Sequence, residues 1–402
     1  MLDAYIYDGL RSPIGRHAGK LAGLRPDDLA GDVIKEVVTR NKIDPAEISD
    51  VVLGCVNQAG EDNRNVARFA ALLAGLPPTT PGCTVNRLCA SGLQAVVDAS
   101  RAITCGEGDL YVAGGVESMS RAPYVMSKSD TPYGRDVKLY DSTIGTRFPN
   151  ARFIKQYGNH SMPETGDNVA KDFSITREQS DEFALASQQK YASAEREGFY
   201  RGEIMAVALP PKKKDAPAEK VEADEHPRRD STMEALAKLK PLFEGGVVTA
   251  GNASGVNDGA AALLLGSRRW GDKHGRKPLA RIRAAASAGV EPRIMGVGPA
   301  YAIPRALERA GLKLSEMDII EINEAFASQV LGCLKLMNVE FKDARVNPNG
   351  GAIAIGHPLG ASGARLALTV AREMQQSGAR YAAVSLCIGV GQGLALILER
   401  VQ

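Results

Sequence analysis

One stretch of sequence decides the fold because it occurs twice: Asn41-Lys42-Ile43-Asp44-Pro45-Ala46-Glu47-Ile48-Ser49-Asp50-Val51-Val52-Leu53 and Ala310-Gly311-Leu312-Lys313-Leu314-Ser315-Glu316-Met317-Asp318-Ile319-Ile320-Glu321. In both copies a helix end is followed by a short turn and then by an apolar strand. Further on, Val85-Asn86 and Val346-Asn347 each lead into a helix and then into another strand. Because the order of the matches is kept, we interpret them as a duplication and not as coincidence among Gly- and Ala-rich segments.

Strand-like and helical runs alternate around these copies, which favours βαβ units and a mostly parallel or mixed buried sheet. The runs that predict strands are residues 3–8, 51–56, 110–113 and 382–386. The runs that predict helices are residues 27–40, 178–196, 300–311 and 362–377. Asp27 and Thr176 are expected as N-caps, and Gln179 lies where it would complete a capping box with Thr176.

Composition excludes several classes of function. The 402 residues suffice for two or more domains, and a net charge of +2 without a long basic block argues against a nucleic-acid partner. No signal peptide and no bilayer-length apolar run are seen, so no membrane partner is expected. The six cysteines are scattered and form no C-x-x-C pair, which argues against disulfides and zinc. We therefore expect a cytoplasmic protein with reduced thiols.

The middle of the chain, residues 120–249, differs from the rest. It is rich in Met, Pro, Arg, Lys and Tyr, and it is too long for a simple connection. It is therefore interpreted as a functional insertion between the two copies.

Cys89 is the first candidate for chemistry. It follows the polar, turn-forming run Val85–Leu88 and precedes a helical run that starts near Ala90. Unpaired N–H groups and the macrodipole at a helix N-terminus favour an anion, so the thiol is expected to lose its proton easily and to act as a nucleophile. The alternative is a small buried apolar residue, as most free cysteines are.

Three further residues could act with this thiol. His357 lies in a Gly-rich, Pro-bounded loop and is the natural base for a thiol near neutral pH, unless it only satisfies loop carbonyls. Cys387 ends a strand and opens into glycines, whose N–H groups can point at a substrate; the alternative is a core residue. Asn323 follows the apolar strand of the second copy, where site residues of α/β sheets are common.

Together and in this order, four motifs closely resemble those of the thiolase family: Val85-Asn86-Arg87-Leu88-Cys89-Ala90-Ser91-Gly92, Asn323-Glu324-Ala325-Phe326, Gly356-His357-Pro358 and Cys387-Ile388-Gly389-Val390-Gly391-Gln392-Gly393. A fifth, Thr249-Ala250-Gly251-Asn252-Ala253-Ser254-Gly255, matches the family's CoA loop. The resemblance covers essentially the whole chain. It implies an α/β thiolase fold, with two duplicated βα halves in an αβαβα arrangement and an inserted loop domain.

The resemblance also implies domain boundaries. The N-terminal half would comprise residues 1–119 and 250–270, and the C-terminal half residues 271–402. Residues 120–249 would form the loop domain, which binds CoA and makes oligomer contacts. A homodimer or homotetramer is expected.

The family chemistry implies a role for each motif residue. Cys89 would carry the acyl group, His357 would activate Cys89 and then the CoA thiol, and Cys387 would move the proton of the acetyl-CoA methyl group. One oxyanion site would use His357 and a water held by Asn323. The other would use the backbone N–H groups of Cys89 and Gly389.

The substrates implied are acyl-CoA and CoA, with CoA as a cosubstrate, no cofactor and no metal. Residues implied to bind the substrate or CoA are Arg228, Ala250, Gly251, Ser254, Met162, Ala325 and Phe326. Lys212, Lys213 and Lys214 could attract the CoA phosphates, but a solvated loop is favoured.

The segment from Ser161-Met162 to Val169-Ala170 lacks the His-Met of acetoacetyl-type thiolases and resembles 3-oxoadipyl-CoA (β-ketoadipyl-CoA) thiolases. This resemblance implies cleavage of 3-oxoadipyl-CoA. Its terminal carboxylate would need a partner, expected among Arg147, Arg152 and His160.

Other activities remain open at this point. The alternatives within the family are an acetyl-CoA acetyltransferase (acetoacetyl-CoA thiolase) and a broad-range 3-ketoacyl-CoA thiolase. A decarboxylating ketoacyl synthase would pair its cysteine with two histidines, or with His and Asn, so Cys387 and Asn323 argue against it. A thiolase-like lipid-binding protein without catalysis is disfavoured because every catalytic position is filled.

Overall fold

We describe the fold from a computed structural model, which describes residues 1–211 and 218–401. The predicted basic run Lys212, Lys213 and Lys214 lies outside the described residues. The described residues contain no helix long and apolar enough to cross a membrane.

The strands are β1 (Ala4–Arg11), β2 (Gly15–Arg16), β3 (Asp50–Gly54), β4 (Gly82–Val85), β5 (Leu110–Ser118), β6 (Tyr124–Met126), β7 (Leu139–Asp141), β8 (Val207–Ala208), β9 (Lys220–Val221), β10 (Asn257–Gly266), β11 (Ala280–Gly289), β12 (Ile319–Ile322), β13 (Tyr381–Ile388) and β14 (Gln392–Glu399). The helices are α1 (Pro26–Arg40), α2 (Val66–Leu73), α3 (Ser91–Cys105), α4 (Ala151–Tyr157), α5 (Met162–Asp172), α6 (Arg177–Arg196), α7 (Met233–Ala237), α8 (Arg268–Lys273), α9 (Gly298–Ala310), α10 (Ala327–Leu336), α11 (Ala352–Ile355) and α12 (Leu359–Ser377).

The main sheet has the symmetry that the duplicated sequence predicts. Its order is β12-β13-β14-β11-β1-β10-β5-β3-β4, with β2 paired to β10. The antiparallel pair β1–β11 lies at the centre, and on each side an antiparallel stretch is followed by parallel pairing, β5–β3–β4 in one half and β13–β12 in the other. A parallel bridge between Ile320 and Val346 takes the place of β4 in the second half. The sheet is therefore mixed.

Helices and sheet halves form the predicted layers. Helices α3 and α12 pack against each other, and their apolar side chains share one core with the inner faces of both halves of the sheet. Helices α1 and α2 cover the outer face of the first half, and α9 and α10 cover that of the second. The central layer is tight: a Cβ added to Gly115 on β5 would lie 2.0 Å from the carbonyl oxygen of Gly360 on α12.

The predicted caps have different outcomes. Thr176 caps α6 and forms the predicted capping box with Gln179. The prediction that Asp27 caps the first helix is wrong, because Pro26 already occupies the first helical position and Arg25 is the N-cap. Proline suits that position since its φ is fixed and its missing N–H would have no partner there.

The segment between the halves is built differently from them. It holds the short hairpins β6–β7 and β8–β9 and the helices α4 to α7. Its predicted bounds, residues 120–249, stay a prediction.

Candidate active site

Cys89 lies two residues before the first residue of α3. The turn that holds it is fixed by side chains: Asn86 Oδ1 accepts the Leu88 N–H at 2.9 Å, and Ser91 Oγ accepts the Arg87 N–H at 2.9 Å. Leu88 has a φ of 45°, a conformation that residues other than glycine rarely adopt. The thiol is thus presented by an ordered turn and not by a mobile loop.

The structure acts against the expected low pKa of Cys89, whose side chain is half-buried and lies among protein atoms on most sides. Burial raises its pKa to about 11, although the backbone N–H groups of Gly389 and Cys89 bond to Sγ and act in the opposite direction. The physical reason is that removal of the thiolate from water costs more than two N–H groups return. The same two N–H groups are those that the resemblance assigned to an oxyanion site.

Cys387 lies near the end of β13, is 1% exposed and is close enough to Cys89 for the two thiols to interact. Burial raises its pKa well above the usual value, and Cys89 adds to the rise. It packs in an apolar cluster with Ala325 and Phe326, against which Met162 lies. Three residues predicted to bind the substrate or CoA therefore lie in one cluster with Cys387.

His357 is buried in the loop between α11 and α12. Its Nδ1 lies 2.7 Å from Ser362 Oγ, and that hydroxyl donates its only hydrogen to Pro358 O at 2.8 Å. With the Ser362 hydrogen assigned to Pro358 O, Ser362 accepts from His357, which then carries its hydrogen on Nδ1 and keeps a lone pair on Nε2, towards Asn323 Nδ2. Burial lowers the pKa of His357 to about 3, with a further contribution from Arg365.

Asn323 follows β12 directly, and its backbone N–H bonds to Ser385 O at 2.9 Å. Its Nδ2 lies 3.4 Å from His357 Nε2. Its Oδ1 is buried and has no hydrogen-bond partner within residues 1–211 and 218–401. The predicted pair of His357 and Asn323 is thus brought together, although their positions are 34 residues apart.

Three residues that position this part of the structure were not among those predicted: Ser362, Asn257 and Glu117. Asn257 Oδ1 accepts the His357 N–H at 2.8 Å. Glu117 accepts N–H groups from Val56, Asn57 and Gly360 at 3.0, 3.0 and 2.9 Å, and so ties the two halves together. No local pattern marks Asn257 or Glu117, because their partners are distant in sequence. Only Ser362, five residues after His357, could have been found from spacing.

The predicted CoA loop meets the Asn323 loop. Ala253 forms an antiparallel bridge with Phe326, and Ser254 donates its N–H to Ala325 O at 3.0 Å. Gly251 and Ser254 are half-buried, whereas Ala250 and Arg228 are exposed. No hydrogen bond or ion pair among the described residues joins Arg228 to Cys89.

The structure also has a groove that holds none of the predicted catalytic residues. Its volume is about 640 Å³, and it lies between α6, α10 and residues 341–346. Phe183, Leu331 and Phe341 line it, and Glu324 reaches it. In the part of the chain that the structure describes, no three His, Cys, Asp or Glu side chains are grouped so as to hold a metal ion.

Comparison with known proteins shows the family of this chain and agrees with its fold. The family model described as the thiolase N-terminal domain matches residues 4–269, and that of the thiolase C-terminal domain matches residues 276–400. The chain is 55% identical over 403 residues to a beta-ketoadipyl-CoA thiolase of Escherichia coli, with 100% of both chains covered. It is 43% identical over 401 residues to an acetyl-CoA acetyltransferase of Chromobacterium violaceum, with 99% and 100% covered.

Solved structures of related enzymes have the same fold as this chain. The acetyl-CoA acetyltransferase of Bacillus anthracis superposes with a TM-score of 0.91 at 38% identity, covering 100% of this chain and 99% of that one. The human mitochondrial 3-ketoacyl-CoA thiolase in complex with CoA gives 0.91 and 38%, covering 100% and 98%. With both family models matched and full-length relatives above 50% identity, the chain belongs to the thiolase family.

Proposed function

We propose that the protein cleaves a 3-oxoacyl-CoA with CoA to acetyl-CoA and a shortened acyl-CoA, or catalyses the reverse condensation, and that its substrate is 3-oxoadipyl-CoA, which gives succinyl-CoA and acetyl-CoA. The observation that carries the reaction is the meeting of two interacting thiols, Cys89 and Cys387, with the backbone N–H groups of Cys89 and Gly389 directed at Sγ of Cys89. The substrate is supported by the 55% identity to a beta-ketoadipyl-CoA thiolase.

Cleavage begins at the 3-oxo carbon. Cys89 transfers its proton to His357 Nε2 and attacks C3. The resulting oxyanion is stabilised by hydrogen bonds from one of two sets of donors, the His357–Asn323 pair or the N–H groups of Cys89 and Gly389. The C2–C3 bond then breaks, which leaves the acyl group on Cys89 and an acetyl-CoA enolate. Cys387 protonates that enolate at carbon, and the proton that His357 took from Cys89 then passes to the Cys387 thiolate, which leaves both groups neutral.

The second half-reaction releases the acyl group. The CoA thiol gives its proton to the now neutral His357 and attacks the thioester on Cys89, and the leaving Cys89 thiolate takes that proton from His357. Two buried donor sets are needed because an enolate and a tetrahedral oxyanion develop in different steps. The His357–Asn323 pair supplies one set, and the N–H groups of Cys89 and Gly389 supply the other.

The acyl-enzyme is tested by mass spectrometry. Wild type incubated with acetyl-CoA should gain the mass of one acetyl group on the Cys89 peptide, and Cys89→Ala should gain none. Cys83→Ala is the matched control, since Cys83 is exposed and on β4. An adduct that persists in Cys89→Ala overturns the assignment.

Substrate choice is tested by kcat/KM for 3-oxoadipyl-CoA, acetoacetyl-CoA and a longer 3-oxoacyl-CoA, followed by CoA-dependent loss of absorbance. The highest value is expected for 3-oxoadipyl-CoA. A higher value for acetoacetyl-CoA would favour an acetyl-CoA acetyltransferase, an alternative supported by the relative that is 43% identical. Similar values for all three would indicate a broad-range thiolase.

CoA is proposed to bind as a cosubstrate against the loop domain, residues 120–249, with no cofactor or metal. Arg228, Ala250, Gly251 and Ser254 would contact CoA, and Met162, Ala325 and Phe326 would line the acyl site. Support comes from the hydrogen bond between Ser254 and Ala325 and from the packing of Met162 near Cys387.

A tail carboxylate would require a cation among Arg147, Arg152 and His160. Arg147 is half-buried, whereas Arg152 and His160 are exposed, so Arg147 is the first to test. Each is changed to Ala. If the ratio of 3-oxoadipyl-CoA to acetoacetyl-CoA turnover does not move in any variant, this part of the proposal is wrong.

A homodimer or homotetramer in the cytoplasm is also proposed. Its support is a set of exposed apolar side chains in the loop domain, among them Tyr124, Tyr133, Leu139 and Phe148, which are 70%, 101%, 63% and 50% exposed. Such a concentration of apolar surface is typical of a protein interface. Light scattering after size exclusion should give two or four chains; a monomer overturns the proposal.

A further inference from the structure

One of the two proposed oxyanion sites is assembled from two turns that belong to different halves of the molecule. We call residues 86–89, just before α3, the cysteine turn, and residues 388–392, where β13 meets β14, the hairpin turn. The cysteine turn supplies the N–H of Cys89 and the hairpin turn that of Gly389. The direction of the Gly389 N–H towards Cys89 Sγ therefore depends on how the two turns are fixed to each other.

The hairpin turn is anchored at its end and strained at its tip. The backbone of Gln392 pairs with Ile388 on β13 and with Gly289 on β11, which leaves it little freedom. Val390 has a φ of 65°, a conformation that a β-branched residue rarely adopts, and its side chain is 54% exposed, so little packing holds it. Such a backbone persists only where its surroundings fix it, so a contact from outside the turn is expected.

Arg87 supplies that contact from the cysteine turn. Its Nη1 lies 3.2 Å from Gln392 Oε1, and both side chains are half-buried. The Arg87 N–H bonds to Ser91 Oγ at 2.9 Å, so the base of this side chain is fixed to the first residue of α3. Within residues 1–211 and 218–401, the Arg87–Gln392 bond is the one hydrogen bond between side chains that joins the two turns.

The two turns also touch beside the Gly389 N–H. A Cβ added to Gly389 would lie 3.3 Å from Leu88 Cδ1. An apolar contact of this kind limits how closely the turns approach, whereas a hydrogen bond also fixes direction, because it weakens steeply away from its preferred angle. The Arg87–Gln392 bond is therefore the contact suited to orient the hairpin turn towards Cys89.

We propose that Arg87 is a positioning residue, which through Gln392 holds the Gly389 N–H in place at Cys89 and keeps this oxyanion site in working geometry. The inference rests on the proposed function, in which the N–H groups of Cys89 and Gly389 stabilise an oxyanion. Arg87 acts on the reaction only through the hairpin turn. A misplacement of a catalytic group by about 1 Å is enough to cost about a hundredfold in rate.

A second role for this guanidinium would be to bind the terminal carboxylate of 3-oxoadipyl-CoA. The positioning role is favoured because the guanidinium already has an acceptor within the chain, Gln392 Oε1. The two roles predict different kinetics, since only a partner of the carboxylate would distinguish substrates with and without that group.

The test measures kcat and KM for CoA-dependent cleavage of 3-oxoadipyl-CoA and acetoacetyl-CoA by the full-length protein. The variants are R87M and Q392M, each of which removes one side of the bond and keeps an unbranched side chain, and the double variant R87M/Q392M. Each single variant should lose about 10- to 100-fold in kcat, by the same factor for both substrates and with KM little changed, because the oxyanion develops only in the transition state. The double variant should lose no more than either single variant, because both changes break the same bond.

R101M is the matched control. Arg101 is an arginine of α3 whose Nη1 bonds to Asp98 Oδ1 at 3.0 Å, so its bond stays within one helix, and R101M should keep the wild-type kcat. Urea midpoints of all variants show whether they are folded under the assay conditions. If R87M does not fold, Q392M breaks the same bond from the other side.

A kcat of folded R87M or Q392M equal to that of R101M overturns the inference, and so does a double variant whose loss is the product of the two single losses. A loss confined to 3-oxoadipyl-CoA also overturns it, because it would make Arg87 the partner of the tail carboxylate. The proposed function fails by a different result, the absence of an acyl group on Cys89 of the wild type.

Discussion

Replacement of Ser362 by alanine should lower either the stability of the protein or its kcat, depending on the tautomer that His357 then adopts. Ser362 Oγ lies 2.7 Å from His357 Nδ1 and donates to Pro358 O at 2.8 Å, so it accepts the Nδ1 hydrogen. Ser362→Ala removes that acceptor, and the His357 side chain that loses it is only 4% exposed. The imidazole then has two responses, and each has a predictable cost.

If the hydrogen stays on Nδ1, a buried N–H loses its partner, which costs about 1 to 3 kcal/mol of stability. If it moves to Nε2, it can bond to Asn323 Oδ1 once the amide turns, since that oxygen is buried and has no partner within the described chain. This second tautomer keeps stability but cannot accept a proton at Nε2. Loss of a general base lowers kcat by about 10²- to 10⁴-fold.

Ser100→Ala is the matched control. Ser100 is a buried serine on α3 whose Oγ donates to Val96 O at 2.6 Å, the same bond to the preceding turn that Ser362 makes, but without a histidine. CoA-dependent cleavage of 3-oxoadipyl-CoA and urea midpoints are measured for both variants. The reasoning is refuted if Ser362→Ala matches Ser100→Ala in both kcat and urea midpoint.

Two further predictions concern stability. Gly115→Ala should lower the free energy of unfolding, measured in urea, by about 3 kcal/mol or more, because its Cβ would lie 2.0 Å from Gly360 O. Gly106→Ala, in open space at a φ of +78°, should lower it by about 1 kcal/mol, and equal losses in the two variants would contradict the close packing of Gly115 as the cause. Acid should destabilise the protein through His226, whose pKa burial lowers from 6.5 to about 4. The folded state keeps the His226 imidazole neutral, whereas the unfolded chain takes up a proton below pH 6.5. The free energy of unfolding is therefore unaffected by His226 above pH 6.5 and falls by about 3 kcal/mol as the pH falls towards 4. His226→Gln should lose correspondingly less between pH 7 and pH 4.5, and an identical loss in wild type and variant would exclude this origin.

Local sequence predicted most elements near the site. The helix over residues 178–196 is observed as Arg177–Arg196, with its capping box, and the strand over residues 382–386 as Tyr381–Ile388. The error at Asp27 arose because proline and aspartate both mark helix starts, and Pro26 comes first. These features depend on neighbours within a few residues, which is why sequence could supply them.

The pKa of Cys89 depends on more than its local sequence. Position near a helix start favours the thiolate, and the two N–H groups at Sγ act in that direction. Burial acts against it and dominates, and one of the N–H groups at Sγ belongs to Gly389, about 300 residues away in the sequence. The local sequence predicts that a residue lies at a helix start, but it does not predict how far distant segments bury that residue.

The amino-acid sequence by itself determined the duplication, the layered α/β fold and the family, because each is carried by short motifs in a fixed order. It also named the residues proposed to react, Cys89, His357, Asn323 and Cys387. Only the tertiary structure decided that His357 meets Ser362 and Asn323, that burial raises the pKa of Cys89 and lowers that of His357, and that Arg365 pairs with Glu321 in the interior. These depend on desolvation and on contacts between distant segments, which exist only once the two halves have packed together.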